Sequence, residues 1–165
     1  MANNDFPVLD GIAPSWADII VRATPLGGPL IDIKDIKSIE TGVTVEVGEQ
    51  RGASGGRVMK RTTGAVSYEA KATLYRDGYD NLIEKLSALA PKRGKQDLIS
   101  LVTFGINVLH TPPGSSKIFE YRIKGCRLLG RTMASTEGTD ADTVDLVLNP
   151  LEIVDIKNGR EIAWL

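Results

Sequence analysis

The amino-acid sequence predicts a mainly β domain with a single flanking helix. Three observations carry this reading. Gly (17) and Pro (8) punctuate a chain of 165 residues with many turns, and a turn-rich chain favours short antiparallel elements. Several stretches alternate apolar and polar residues, the signature of strands with one buried face. Only one stretch has helical spacing, and a single helix cannot supply the repeated crossovers of a parallel sheet. It can instead cover one end of a sandwich or barrel. The length suits one domain spanning 1–165, since domains commonly run to ~100–200 residues.

Taken in order, segment 1–16 has no strand or helix period. It carries Phe6, Val8, Leu9, Ile12 and Trp16 between Pro7, Gly11 and Pro14. It reads either as a frayed terminus or as an extended arm that needs a partner surface, because disordered tails carry few large apolar residues. No basic n-region or apolar h-region marks a signal peptide, so the expectation is a chain made in the cytoplasm. Ala17–Ala23 is β-branched and short, a strand. The turn Pro25-Leu-Gly-Gly-Pro29 and the return Leu30–Ile33 make a hairpin. Ile36–Val47 alternates, with Val43, Val45 and Val47 opposite Thr44, Glu46 and Gly48.

Residues 48–64 hold four glycines before Arg57 and carry a net charge of +3. They are expected to form a long, flexible, basic loop of a β-hairpin. Loops beyond ~12–15 residues are uncommon in compact domains unless functional or disordered. Alternation then resumes, with Tyr68, Ala70, Ala72 and Leu74 opposite Ser67, Glu69, Lys71, Thr73 and Tyr75. Tyr79, Leu82, Ile83, Leu86 and Leu89 share one helical stripe, predicting a helix over about 79–90 with Asp77 as N-cap and Pro91 and Gly94 as the stop. Leu98–Leu109 reads as a strand buried on both faces. Lys117–Arg131 and Thr143–Leu148 read as half-buried strands. Leu151–Ile156 and Ile162–Leu165 close the chain around an Asn158-Gly159 turn.

The chemistry-bearing residues are few. One Cys (Cys126) and one His (His110) exclude an intrachain disulfide and any Cys₄, Cys₂His₂ or His₃ zinc site within one chain. His110 precedes Thr-Pro-Pro-Gly at a strand end and reads as a turn-packed histidine, with general-base catalysis as the competing reading. Cys126 reads as a small buried residue, with a thiol activated by Lys124 and Arg127 as the alternative. Gly52-Ala-Ser-Gly-Gly-Arg57 lacks the Gly-Lys-Ser/Thr ending of a phosphate loop, and no helix follows it. An EF-hand register starting at Asp140 puts Asp145 where Gly is required and Leu151 where Glu should be. No catalytic residue, metal or cofactor is therefore expected. The basic loop has no interleaved aromatics, which argues against a stacking platform for single strands. Residues 132–155 contain six acidic residues and no Lys or Arg. Separate basic and acidic zones on a chain of net charge −1 suit head-to-tail self-association, in which a patch meets a different patch on the next copy.

Several motifs, in order, resemble the tail tube proteins of tailed bacteriophages. They are Ser15-Trp16-Ala17-Asp18-Ile19, Asp35-Ile-Lys-Ser-Ile39, Val45-Glu-Val-Gly-Glu-Gln-Arg-Gly52 and Arg61-Thr-Thr-Gly64. The long run Tyr68-Glu-Ala-Lys-Ala-Thr-Leu-Tyr-Arg-Asp-Gly-Tyr79 follows, then Ile123-Lys-Gly-Cys-Arg-Leu128 and Asn149-Pro-Leu-Glu-Ile153. The resemblance runs over nearly the whole chain. It implies two packed antiparallel sheets with one helix, a fold shared with the type VI secretion tube protein. It implies a non-enzymatic virion protein whose hexameric rings stack into a hollow tail tube for DNA ejection, without sequence-specific DNA binding and without a membrane. Sheath, baseplate and tail terminator proteins are the implied further partners. An inner tube of a contractile injection system is the neighbouring alternative, and a monomeric β-sandwich binding module is the alternative from another class. In the tube reading the arm 1–16 and the loop 48–64 make inter-subunit contacts, through Phe6, Leu9, Trp16, Glu49, Arg51, Arg57, Lys60 and Arg61. Thr44, Glu46, Ser67, Glu69, Lys71 and Thr73 then line the lumen.

Overall fold

The computed structural model describes residues 19–53, 55–111 and 118–164. Its strands are β1 (Ile19–Pro25), β2 (Ile31–Ile33), β3 (Ile36–Arg51), β4 (Val58–Tyr75), a two-residue pair β5 (Lys92–Arg93) and β6 (Gln96–Asp97), β7 (Phe104–His110), β8 (Phe119–Ala134), β9 (Thr143–Asn149), β10 (Glu152–Lys157) and β11 (Arg160–Ile162). One α-helix, α1 (Arg76–Ser87), follows β4. All strand pairings are antiparallel.

The larger sheet is continuous because β8 belongs to two halves of it. Its first part pairs with β7 and β10, and its second part with β9. One half runs β2-β1-β7-β8-β10-β11 and the other β8-β9-β4-β3. The halves fold onto each other as a sandwich. Val21, Phe104 and Ile106 from the first face Ala72, Leu74, Leu146 and Leu148 from the second around a residual void of about 10 Å³, so the interior is closed to water.

The crossing between halves is built by Gly125. Tyr121 and Ile123 point to the core in phase with the expected alternation, but the next core residues are Cys126 and Leu128. Phe104 pairs with Cys126 and Ile106 with Ile123, so β8 carries one residue more than β7. Gly125 takes the left-handed conformation at φ +62°, the geometry of a bulge with glycine at its first position.

The strand expectations are met where one face is buried. Ala70, Ala72 and Leu74 are buried while Ser67, Glu69 and Lys71 are exposed, and Val144, Leu146 and Leu148 are buried on β9. Asn158 (φ 51°) and Gly159 (φ 73°) make the final tight turn. Three readings change. Residues 48–64 are not one irregular loop. The ladder continues through Gly48↔Thr62, Glu49↔Arg61 and Gln50↔Lys60 to Arg51↔Val58, leaving only 52–57 outside the strands. The described side chains of this arm are exposed on both faces, so no apolar alternation announces it. Leu98–Leu109 is not one strand buried on both faces. Ile99–Leu101 is a 3-10 turn, and on β7 only Phe104, Ile106 and Val108 are fully buried, because one face of a sandwich sheet meets no second layer. Finally, Asp77 is not the N-cap. The helix runs Arg76–Ser87, three residues ahead of the expected 79–90 at both ends, with extended Tyr75 at the cap position and no side-chain cap. The N–H of Tyr75 donates to the Asp35 carbonyl (2.9 Å) and that of Arg76 to the Asp142 carbonyl (3.2 Å). Neighbouring backbone thus does the work of a capping side chain. Asp77 lies in the first turn, where a carboxylate complements the helix dipole.

Candidate functional site

The half β8-β9-β4-β3 gives the chain three distinctive surfaces. The first is its outward face. Alternation turns Thr44 and Glu46 on β3, and Ser67, Glu69, Lys71 and Thr73 on β4, away from the core, in the register Thr44↔Ser67. All six are exposed except Thr73, which is half-buried and donates its hydroxyl to Asp145 at 2.7 Å. The face extends further than the sequence reading placed it. Glu40 stands opposite Lys71 and Ser38 opposite Thr73. Asp145 and Val147 of β9 join them along one shallow surface. Glu40 was legible in the alternation of β3, whereas Asp145 joins only through the register of β9 with β4. Four carboxylates (Glu40, Glu46, Glu69, Asp145) therefore share the face with Lys71 and, at its β8 side, with Arg127, which stands opposite Asn149.

The second surface is a pair of free edges. Among the described residues β3 pairs only with β4, and the second part of β8 (residues 127–134) pairs only with β9. Long unpaired edges template further pairing. The third surface is the arm. Its ladder from Val47 to Arg51 projects ~16 Å at ~3.3 Å per residue, and it carries Glu49, Arg51, Arg57, Lys60 and Arg61. Within it the Arg51 guanidinium lies 3.6 Å from the Glu49 carboxylate. The expected contact residues Phe6, Leu9 and Trp16 lie outside the described residues.

The residues that could carry covalent chemistry are not assembled. Cys126 is opposite Phe104 at one end of β7, and His110 is at the other end, opposite Ile19 and Phe119. That is ~20 Å apart along the strand, so the two cannot form a dyad. Cys126 is fully buried, and burial pushes its thiol up to about 12, the opposite of an activated nucleophile. Among the described residues no group of His, Cys, Asp and Glu could hold a metal ion. A surface depression of about 750 Å³ lies between the start of β8 and the β10–β11 turn, lined by Ile118, Phe119, Tyr121 and Ile156 among others. Elsewhere the outer face of the first half carries an ion-pair network. Lys124 Nζ meets Glu161 at 2.5 Å and Glu152 at 3.6 Å, and Arg122 meets Glu161 at 3.5 Å. The hydrogen bond from Lys124 holds the Glu161 carboxyl below the usual range and raises Lys124 in return. No helix among the described residues is long and apolar enough to cross a membrane.

The sandwich, its helix α1 and its long hairpin match solved structures along most of their length. A chain of the sheath–tube complex of the extracellular contractile injection system PVC, in its extended state, superposes with a TM-score of 0.61. The match covers 94% of this chain and 98% of that one at 12% identity. A chain of the anti-feeding prophage tube-terminating cap gives 0.62, covering 95% and 99% at 10% identity. The SPP1 tail tube gives 0.60, covering 86% and 78% at 13% identity. The chain has the tail-tube fold. No protein-family model matches its sequence, and no curated protein matches it. At these identities the likeness is one of fold.

Proposed function

We propose that this chain is the structural, non-enzymatic subunit of a hollow tail tube. Copies join edge to edge into a hexameric ring, and rings stack into a tube that conducts DNA during ejection. The observation that carries this reading is the half β8-β9-β4-β3. Among the described residues it has two unpaired edges and a polar face turned away from the core. Pairing the β3 edge of one copy with the β8 edge of the next would remove both hazards and close the sheet into a barrel. The polar face would then line the bore. Its excess of carboxylates suits passage of a polyanion, since a cationic wall would hold DNA by counterion release. In this role the chain is a component of a phage tail particle, assembled in the host cytoplasm. Its partners are further copies of itself, with sheath, baseplate and terminator proteins at the outer wall and the two ends. The same architecture would serve an injection-system inner tube, a reading favoured by the near-complete coverage of the PVC and anti-feeding prophage chains. Electron microscopy of the purified protein tests the proposal. Rings or tubes with a central channel are expected. A monodisperse monomer at high concentration would sink the tube reading and leave a binding module as the better account.

A further inference from the structure

Apolar side chains gather at one end of the first half-sheet. Ile20 of β1 stands opposite Leu109 of β7, Leu109 opposite Glu120 of β8, and Glu120 opposite Ile156 of β10. Residues opposite one another share a face of the sheet. Val21, Val108 and Tyr121, beside them, pack on the core, so this row lies on the face turned away from it. Ile20 is 42% exposed, and Leu109 and Ile156 are half-buried. The next row on the same face is polar: Arg22, Asn107 and Arg122. The first row is therefore an apolar track with a polar border. It leads across three strand spacings, ~14 Å at ~4.8 Å each, to the depression of about 750 Å³ between the start of β8 and the β10–β11 turn. At that end Ile118 is 57% exposed and Phe119 48%.

The chain itself supplies an occupant. β1 begins at Ile19, so the residues before it depart from the head of the track. Segment 1–16 carries Phe6, Val8, Leu9, Ile12 and Trp16, more large apolar side chains than a solvated tail sustains. Trp16 precedes Ile20 by four residues. At ~3.3 Å per residue it reaches ~13 Å, about the length of the track, and Leu9 and Ile12 reach beyond it into the depression. Pro7 and Pro14 have no N–H to give a strand ladder, so the segment is suited to binding through its side chains. A short tether also holds it at an effective concentration on the order of mM. In dilute solution a copy's own segment therefore outcompetes that of a second copy.

We infer that residues 6–16 fold back over the outer face of their own first half-sheet, with Trp16 along the track from Ile20 to Ile156 and Leu9 and Ile12 in the depression beside Phe119. The contact is intramolecular and does not rest on the tube reading. It assigns Phe6, Leu9 and Trp16 to their own chain, where the sequence resemblance implies a contact with another copy. It also shields, in the separate subunit, an apolar patch of the kind that otherwise invites association.

Tryptophan fluorescence tests this. The chain has two tryptophans, Trp16 and Trp164, so the full-length Trp164→Phe variant leaves Trp16 as the reporter. Its emission is expected to be blue-shifted, protected from iodide and unchanged over a hundredfold dilution. Two further variants in that background release it. F119S/I156S opens the depression, and L9S/I12S removes the anchors of the segment without touching a described residue. Each should shift the emission to that of a solvated indole and raise iodide quenching several-fold, while the far-UV circular dichroism stays that of Trp164→Phe. If F119S/I156S does not fold, L9S/I12S decides alone. A solvated emission before either change, or an emission that L9S/I12S leaves unmoved, would overturn the inference. A blue emission that reddens on dilution would place the segment on a second copy and overturn it equally. Ring and tube formation enter none of these readouts, so the tube proposal stands or falls separately.

Discussion

At the scale of single residues, two positions decide how the sandwich is held. Gly125 lets β8 shift the phase of its alternation and pass from one half-sheet to the other. Its φ of +62° is costly for any residue with a Cβ, by ~1–2 kcal/mol. A Cβ there would also lie 2.6 Å from a Leu151 methyl and 3.1 Å from the Leu151 Cβ, so Leu151 must move as well. Gly125→Ala should lower the urea midpoint by the equivalent of ~1–3 kcal/mol, and G125A/L151A should recover part of the loss. A midpoint unchanged by Gly125→Ala would show that the bulge does not constrain the crossing. Cys126 follows Gly125 directly and is fully buried. Its thiol is pushed up to about 12, and Tyr121, four residues before Gly125, is likewise raised by burial to about 12. Both groups are neutral when protonated, and both hold their proton in the folded state above the pH at which the unfolded chain releases it. Between about pH 9 and 12 the unfolded state therefore binds fewer protons, and stability falls as pH rises. The limiting slope is ~1.4 kcal/mol per pH unit per group. Denaturation at stepped pH should show this alkaline decline, with the Cys126→Ala variant declining less steeply. Equal slopes for the two proteins would remove Cys126 as a cause.

At the scale of elements, the contrast between the two parts of β3 and β4 is the most informative. Near Ala70 and Ala72 the strands bury one face, and the alternation is readable from the sequence. Beyond the register shift between Val45 and Val47 the same strands continue with nothing to bury, and Val47 is 54% exposed. Sequence periodicity reports burial and not backbone pairing, so it stops where the core stops, and the arm reads as loop. The same limit hid the helix start, because carbonyls of Asp35 and Asp142 replace a capping side chain and neither is near in sequence. It hid the phase change at Gly125, since an isolated glycine in a strand announces a bulge without saying which core residues follow. It also hid the free edge of β8, which depends on where β7 ends and β9 begins. The arm's isolation has a consequence for stability. Replacing residues 48–62 by Asn-Gly, between the paired Val47 and Thr63, removes no side chain that is buried among the described residues and leaves a two-residue hairpin turn of the favoured type. The shortened chain should melt within a few degrees of wild type, because 1 kcal/mol corresponds to ~2–4 °C at this size. It should fail to build tubes. A large fall in melting temperature would mean that the arm stabilises the body of the fold, contrary to its exposure.

At the scale of the whole molecule, a net charge of −1 conceals a layout with three zones: a basic arm, an acidic pole opposite it, and an acidic face between them. In the proposed tube this face is the zone whose charge would bear on transport. Repeated around a ring and along a tube, its excess of carboxylates over Lys71 and Arg127 would become a continuous negative wall, its potential strengthened by the concave geometry. Such a wall keeps a polyanion from adhering. Reversing two of the carboxylates, with E40K/E69K, leaves Glu46 and Asp145 against Lys71, Arg127 and the two new bases, so the wall becomes cationic. Both positions are exposed, and exposed substitutions away from special features usually change stability by no more than ~0.5 kcal/mol; the variant should therefore fold. Wild-type tubes are expected to retain no duplex DNA at physiological salt. E40K/E69K tubes should retain it, and the retained DNA should be released steeply with rising salt, because each neutralised phosphate contributes ~0.9 to the logarithmic slope. Sedimentation of tubes with labelled duplex across a salt series measures both quantities. Equal, weak retention by the two proteins would place Glu40 and Glu69 away from the bore and transfer the lumen to another face of the sandwich.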